Sequence, residues 1–247
     1  MKMIALTIAL ALLTSTSLVG QEISKPANKK LGQWAETPDP KLPNVLILGD
    51  SISIGYTLKV REELEGKANV FRPHTADGKK AENCSGTTKG VESIDRWLGD
   101  RKWDVIHFNW GLHDLKHVTE PGGNTVSTNP KDPVQATVDQ YAANLEKIVA
   151  RLKKTDAKLI FATTTPVVPG TKGPLREPES PGKYNAAALK IMEANDIEID
   201  DLYTFCQPRL DEIQLPKNVH FSDKGSQALA EQVASVIEKA LAAKPSN

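Results

Sequence analysis

The sequence of 247 residues contains little that would point to a charged partner or a bound cofactor. Lysine plus arginine and aspartate plus glutamate each number 31, so the formal net charge is zero. This balance gives no reason to expect a nucleic-acid partner or binding to an anionic membrane surface. The chain has no phosphate-binding loop, no dinucleotide fingerprint and no internal repeat, so we expect no cofactor. Its length suits one α/β domain with a sizeable core.

Cysteine is scarce, since Cys84 and Cys206 are the only two in the chain. Two cysteines in an exported protein permit one disulfide. We therefore expect Cys84 and Cys206 to be bridged if the protein is exported and oxidised. The alternative is two free buried thiols, because the sequence gives no distance between them.

Long hydrophobic runs are absent except at the N-terminus. There Lys2 precedes the almost continuously apolar stretch Met3 to Leu13, and small and polar residues follow up to Gly20. This order is typical of a secretory signal, and the run is short for a membrane span. We therefore predict a signal peptide over 1–20, a polar linker over 21–42 and a folded domain over 43–247. The expected location is periplasmic or extracellular, with no stable membrane span after the signal is cleaved.

The stretch from Leu46 to Tyr56 organises the rest of the chain. The apolar run Asn44 to Leu48 predicts a buried parallel strand, and Gly49 allows the chain to turn sharply before Ser51. A serine at such a strand-to-helix turn lies at the carboxyl edge of the sheet, where open α/β folds bind ligands. Ser51 is thus a candidate nucleophile, although a simple N-cap role would explain it equally well.

A nucleophilic serine needs a base, and His220 is the candidate. It precedes the last amphipathic segment of the chain, so in a doubly wound sheet it would lie at the same carboxyl edge as Ser51. A polar loop histidine without a catalytic task is the alternative. Residue 53 is serine, so the Gly-x-Ser-x-Gly elbow of the α/β-hydrolase fold is not present around Ser51.

Four short blocks in the chain resemble the conserved blocks of the GDSL, or SGNH, hydrolases, in the order in which that family has them. The blocks are Gly49-Asp50-Ser51-Ile52-Ser53, Asn83-Cys84-Ser85-Gly86, Gly111-Leu112-His113-Asp114 and Lys217-Asn218-Val219-His220. Each block alone is a weak signal, but four in order span about residues 44 to 243 and make a strong one.

The resemblance implies a fold and a site. The fold would be a three-layer, doubly wound, flavodoxin-like α/β sandwich around a central parallel sheet of about five strands in the order 2-1-3-4-5. Ser51 would be the nucleophile and His220 the base, and the Gly86 amide would bind the oxyanion. Asp50 and Asp114 fall in the same blocks, which makes them candidates for substrate binding.

The chain departs from the family pattern at two of these positions. His113 stands where the family has an asparagine that donates to the oxyanion, and an imidazole N–H can also donate. Lys217 stands where the family has the aspartate that orients the histidine. A lysine cannot accept a bond from the imidazole and opposes its protonation. The amide oxygen of Asn218 or a backbone carbonyl would have to orient His220 instead.

The sequence therefore predicts a cofactor-independent serine esterase that acts on short-chain esters, including acetyl groups on carbohydrates. Two polar loops, Glu120 to Pro133 and Val167 to Gly182, are expected to cover the carboxyl edge and contact the substrate. One alternative is a non-catalytic carbohydrate-binding relative, since the orienting acid is replaced. The other is a metal-dependent hydrolase, because His113 and His117 are four residues apart and would share one helix face.

Overall fold

The structure is a computed structural model that describes residues 32–243. The predicted signal peptide, residues 1–20, lies outside the described residues. Five parallel strands form one sheet in the order β2-β1-β3-β4-β5, which confirms the predicted topology. The strands are β1 Asn44–Leu48, β2 Asn69–Phe71, β3 Val105–Phe108, β4 Lys158–Ala162 and β5 Glu198–Asp200.

Helices cover both faces of the sheet, as a parallel sheet requires. They are α1 Ser51–Glu63, α2 Thr87–Leu98, α3 Val138–Leu152, α4 Ser180–Glu193, α5 Leu202–Cys206, α6 Leu210–Ile213 and α7 Asp223–Ala242. Because β1 lies between β2 and β3, the right-handed crossovers place α1 on one face and α2 on the other. Helix α7 packs against α1, whereas α3 packs between α2 and α4. The result is the three-layer sandwich that the sequence predicts.

The central strands are apolar because both of their faces are buried. Val45, Leu46, Ile47 and Leu48 of β1 are all almost completely buried. Burial of one such side chain stabilises the fold by roughly 1.5–3 kcal/mol. This rigid sheet fixes the position of whatever follows each strand at the carboxyl edge.

The described part of the predicted linker lies against the domain. The Trp34 side chain is buried, and the amides of Gly32 and Trp34 donate to the carbonyls of Asp77 and Gly78 at 2.9 Å. Residues 32–42 therefore belong to the folded unit although they contain no regular helix or strand.

The predicted disulfide is wrong, because Cys84 and Cys206 are separate buried thiols. The amide of Cys84 donates to the carbonyl of Gly49, just after β1, whereas Cys206 ends the helix that follows β5. Strands β3 and β4 lie between β1 and β5, so the two sites are three strand spacings apart, or about 14 Å. A disulfide requires α-carbons within about 7 Å.

At the carboxyl edge of the sheet lie the turn after β1, the segment after β3 and the two polar loops. None of the helices within residues 32–243 is long and apolar enough to cross a membrane. The second polar loop is shorter than predicted, because α4 begins at Ser180, with Pro181 in its first turn. Proline suits that position, where its missing N–H is not needed.

Candidate active site

The turn after β1 presents Ser51 as the first residue of α1. Asp50 caps this helix, since its carboxylate accepts a hydrogen bond from the Ile52 amide at 2.9 Å. Ser51 is therefore not the N-cap residue, and its hydroxyl is available for other contacts. The amide of Ser51 has no acceptor among the described residues.

The buried side chain of Arg72 holds the turn between β1 and α1 in place. The guanidinium of Arg72 donates to the carbonyl of Gly49 at 2.6 Å and to that of Asp50 at 3.2 Å. It also donates to the hydroxyl of Ser53 at 2.7 Å. No carboxylate pairs with Arg72 within residues 32–243, and burial lowers its pKa. Arg72 thus fixes the two peptide groups that precede the candidate nucleophile.

His220 lies against Ser51 although the two are far apart in sequence. A short antiparallel bridge between Gln214 and Phe221 positions the segment. The Nε2 atom of His220 is 2.8 Å from the Ser51 hydroxyl oxygen. This is the distance at which an imidazole takes a proton from a serine.

Asn218 orients the His220 ring. Its amide oxygen is 3.0 Å from the backbone N–H of His220 and 2.9 Å from ring atom Nδ1. The backbone N–H is an unambiguous donor, so the oxygen and not the nitrogen of the Asn218 amide faces the histidine. Nδ1 must then carry the proton, which leaves Nε2 as the acceptor that faces Ser51.

Lys217 does not contact the ring within hydrogen-bond distance. Its carbonyl accepts from the Lys172 amide at 2.9 Å, and its side chain runs past Gly170 in the second polar loop. Lys217 has a positive φ of 52°. Its backbone conformation therefore turns the chain so that the next residue, Asn218, reaches His220.

Gly86 is the N-cap of α2, and its segment adjoins the turn after β1, because the amide of Cys84 donates to the carbonyl of Gly49 at 3.1 Å. The Gly86 amide has no acceptor within the described part of the chain and is available to a ligand. A β-carbon at this position would come within 3.1 Å of the Asp114 carboxylate. A larger residue here would therefore require the Asp114 carboxylate to move by a few tenths of an ångström.

His113 is half-buried and neutral. Burial lowers its pKa to about 4, with further lowering by the charges of Lys116, Arg176 and His220 against an opposing effect of Asp50. The ammonium of Lys116 donates to its Nδ1 atom at 3.3 Å. An ammonium has no acceptor, so Nδ1 is unprotonated and Nε2 carries the N–H. His113 can therefore donate through Nε2.

Asp114 is only 1% exposed, and its carboxylate binds the first residue of α2 although the two are far apart in sequence. One carboxylate oxygen accepts from the amide of Thr87 at 2.8 Å and from its hydroxyl at 2.5 Å. The other oxygen has no hydrogen-bond partner among the described residues. Burial raises the pKa of Asp114 to about 7, against the lowering effect of the Thr87 bonds.

His117 joins the two polar loops and does not face His113. Its Nδ1 atom is 2.7 Å from the carbonyl of Asp132, and its Nε2 atom is 3.1 Å from the Glu177 carboxylate. Partial burial opposes ionisation of Glu177, but the bonds from His117 and Ser180 hold its pKa below the ordinary value. Because both ring nitrogens of His117 are engaged, the geometry does not favour the paired metal ligands that the spacing allows.

Sequence reasoning missed three basic residues around the site. They are Arg72, Lys116 and Arg176, whose Nε donates to the carbonyl of Leu112 at 2.8 Å. Lys116 is 7% exposed and has no carboxylate within ion-pair distance among residues 32–243. A buried cation without a counter-ion is costly, which makes Lys116 a candidate for a role in the site. Nothing in the local sequence distinguishes these residues from exposed lysines and arginines.

The fold and the serine–histidine pair at its carboxyl edge define an α/β ester hydrolase. The model of the GDSL-like lipase/acylhydrolase family matches residues 47–228. The chain belongs to this family. No curated protein sequence matches the chain at a significant level.

Solved structures agree with this assignment at the level of the fold. A lipase/acylhydrolase from Enterococcus faecalis has a TM-score of 0.63 at 18% identity, covering 80% of this chain and 96% of its own. The acetyl xylan esterase AlAXEase has a TM-score of 0.61 at 13% identity, covering 78% and 99%. A carbohydrate esterase family 3 protein from Talaromyces cellulolyticus has a TM-score of 0.58 at 16% identity, covering 81% and 97%.

Proposed function

We propose that this enzyme is an exported serine esterase that cleaves short-chain esters, including acetyl groups on carbohydrates, through an acyl-enzyme. The observation that carries the proposal is the chain of hydrogen bonds from Asn218 through His220 to Ser51, at 2.9 and 2.8 Å. It is the arrangement of a nucleophile, a base and an orienting acceptor.

The reaction has two steps. The Ser51 oxygen attacks the ester carbonyl while His220 Nε2 takes the hydroxyl proton. When the tetrahedral intermediate collapses, the bond to the alcohol breaks and His220 gives the proton to the leaving oxygen. A water molecule, deprotonated by His220, then attacks the acyl-enzyme, and Ser51 leaves with the proton.

Three donors would bind the negative oxygen of each tetrahedral intermediate. They are the amides of Ser51 and Gly86 and the Nε2–H of His113. The two amides have no other acceptor within residues 32–243, and the contact from Lys116 sets the His113 tautomer. The Asp50 carboxylate caps α1, and we propose that its second role is to bound the substrate site beside Ser51.

Two further observations support the finer parts of the proposal. The predicted signal at residues 1–20 supports export. The acetyl xylan esterase and the family 3 carbohydrate esterase have the same fold, which supports an ester on a carbohydrate as the substrate class.

The test is hydrolysis of p-nitrophenyl acetate by the purified protein. Ser51→Ala should lower kcat by roughly 10³-fold or more, because the acyl-enzyme can no longer form. Ser226→Ala removes a partly buried serine hydroxyl that has no role in the proposed mechanism and serves as the matched control. An organophosphorus reagent should label Ser51 in the wild type. Activity of Ser51→Ala close to that of the wild type would refute the serine mechanism.

A further inference from the structure

A polar groove leads away from the candidate oxyanion site, between α2, α3 and the first polar loop. It begins as a cavity of about 390 Å³ beside Gly86 and Asp114. A second cavity of about 300 Å³ shares Thr88 and Gln135 with the first and continues to Lys147 on α3. Each volume lies within the range of ligand-binding pockets, roughly 300–1,000 Å³.

Two buried hydrogen-bond acceptors in the wall of the first cavity lack a donor. One is the free carboxylate oxygen of Asp114, and the other is the side-chain oxygen of Gln135. The Gln135 amide nitrogen donates to the carbonyl of Gly123 at 3.0 Å and to Asn124 at 2.9 Å, which fixes the amide and keeps its oxygen an acceptor. Unpartnered buried acceptors are rare in folded proteins and call for a ligand or water that donates to them.

The chemistry of the wall selects the class of ligand. Lys89 and Glu92 contribute one charge of each sign, and no aromatic or large aliphatic side chain lines the first cavity. An alkyl chain would leave the acceptors of Asp114 and Gln135 without donors. A hydroxyl group satisfies Asp114 in both states, because it donates to the carboxylate and accepts from the acid.

We propose that this groove binds the saccharide chain that carries the ester, so that the enzyme deacylates oligosaccharides in preference to isolated esters. The sugar unit next to the ester would lie beside Gly86, and further units would extend past Thr88 towards Lys147. This inference rests on the proposed function, because it assigns the alcohol part of the same substrate.

The experiment fills the groove and leaves the catalytic residues unchanged. Thr88 is exposed on α2 where the two cavities meet, so Thr88→Trp should fold and block the groove. Val91 is exposed on the same helix and lies outside both walls, so Val91→Trp is the matched control. The substrates are p-nitrophenyl acetate and acetylated trisaccharides of xylose, of glucose and of N-acetylglucosamine.

The measured quantity is kcat/KM for a trisaccharide divided by kcat/KM for p-nitrophenyl acetate. Thr88→Trp should lower this ratio at least tenfold for the preferred trisaccharide, and Val91→Trp should leave it unchanged. Calorimetry on Ser51→Ala protein measures trisaccharide binding without turnover. Adding Thr88→Trp to this variant should raise the Kd for the trisaccharide by a similar factor.

The outcomes separate the groove from the chemistry. Ser51-dependent cleavage of p-nitrophenyl acetate with an unchanged ratio and Kd in Thr88→Trp would overturn the groove and leave the proposed function intact. Trisaccharide binding that depends on Thr88 but occurs in an inactive wild type would support the groove and refute the esterase. No binding of any of the three saccharides by the Ser51→Ala protein would mean that the groove holds only water.

Discussion

The sharpest test of the catalytic geometry is the replacement of Asn218. Its amide oxygen is the acceptor that faces His220 Nδ1, at 2.9 Å, and it also binds the backbone of the same residue at 3.0 Å. Asn218→Ala removes both bonds, so the exposed His220 ring is free to rotate and to change tautomer. We therefore expect slower proton transfer from Ser51, with little effect on substrate binding.

The size of the effect follows from the kind of bond that is lost. A neutral hydrogen bond contributes about 0.5–1.5 kcal/mol, and 1.4 kcal/mol corresponds to about tenfold in rate. Loss of the correct tautomer adds to this, up to about 10⁴-fold when a triad carboxylate is replaced. Because Asn218 has no charge to lose, Asn218→Ala should lower kcat by about 10- to 100-fold.

Asn218→Asp should act in the opposite direction. A carboxylate accepts a charge-assisted bond, which is roughly twice as strong, and stabilises the imidazolium that forms in the transition state. We expect kcat to rise about tenfold. The acid limb of the kcat/KM profile should move to higher pH, because a nearby carboxylate favours the protonated ring, which cannot act as the base.

Steady-state kinetics on p-nitrophenyl acetate measure both variants. Lys217→Asp is the control. The family pattern has an aspartate at this position, which would favour a faster enzyme. The Lys217 side chain runs past Gly170, however, so kcat should stay within about twofold of the wild type. An Asn218→Ala enzyme as fast as the wild type would show that Asn218 does not orient His220. A faster Lys217→Asp enzyme would show that the charge at position 217 acts on His220.

Three further predictions concern His113 and its neighbours Asp114 and Lys116. His113→Ala should lower kcat by roughly 10²–10³-fold through loss of one oxyanion donor, whereas His113→Asn should keep most of the activity. Lys116→Met should lower kcat in the wild type but not in a His113→Asn background, because Lys116 acts through the His113 tautomer; equal losses in both backgrounds would refute this. The pKa of Asp114 is about 7 in the folded protein and 3.8 in the unfolded chain. Between these two pH values the carboxyl group is therefore protonated in the folded state and ionised in the unfolded state. Stability should therefore fall as pH rises from about 4 to 7, and the fall in Tm between pH 5 and 8 should be smaller in Asp114→Asn than in the wild type.

The sequence predicts the features that depend on local pattern. The apolar run before Gly49 is a buried strand because both faces of a parallel sheet are covered, and the block order places Ser51 and His220 at one edge. The choice between Asn218 and a backbone carbonyl remained open in the sequence, because it depends on a side-chain rotamer. In the structure the Asn218 amide oxygen lies 2.9 Å from Nδ1 of His220.

Features that depend on distance through space were not predictable. The disulfide expectation rested on the count of cysteines, yet Cys84 and Cys206 follow different parts of the sheet. Arg72 directly follows β2, and its role depends on carbonyls 22 and 23 residues away in the sequence. The same holds for Lys116, which looks like a surface lysine until its burial beside His113 is seen.

The residues at and around the two departures from the family pattern make the site more positive. Lys217 stands in place of the family's aspartate and the acceptor at His220 is the neutral Asn218, so the imidazolium lacks the stabilisation that a carboxylate would give. Burial lowers the pKa of His113, the positive charges of Lys116 and Arg176 lower it further, and the same charges would favour a nearby oxyanion. The capping carboxylate of Asp50 offsets part of this field. The neutral amide stabilises the imidazolium less than a carboxylate would, which is why Asn218→Asp, which supplies that charge, should accelerate the reaction.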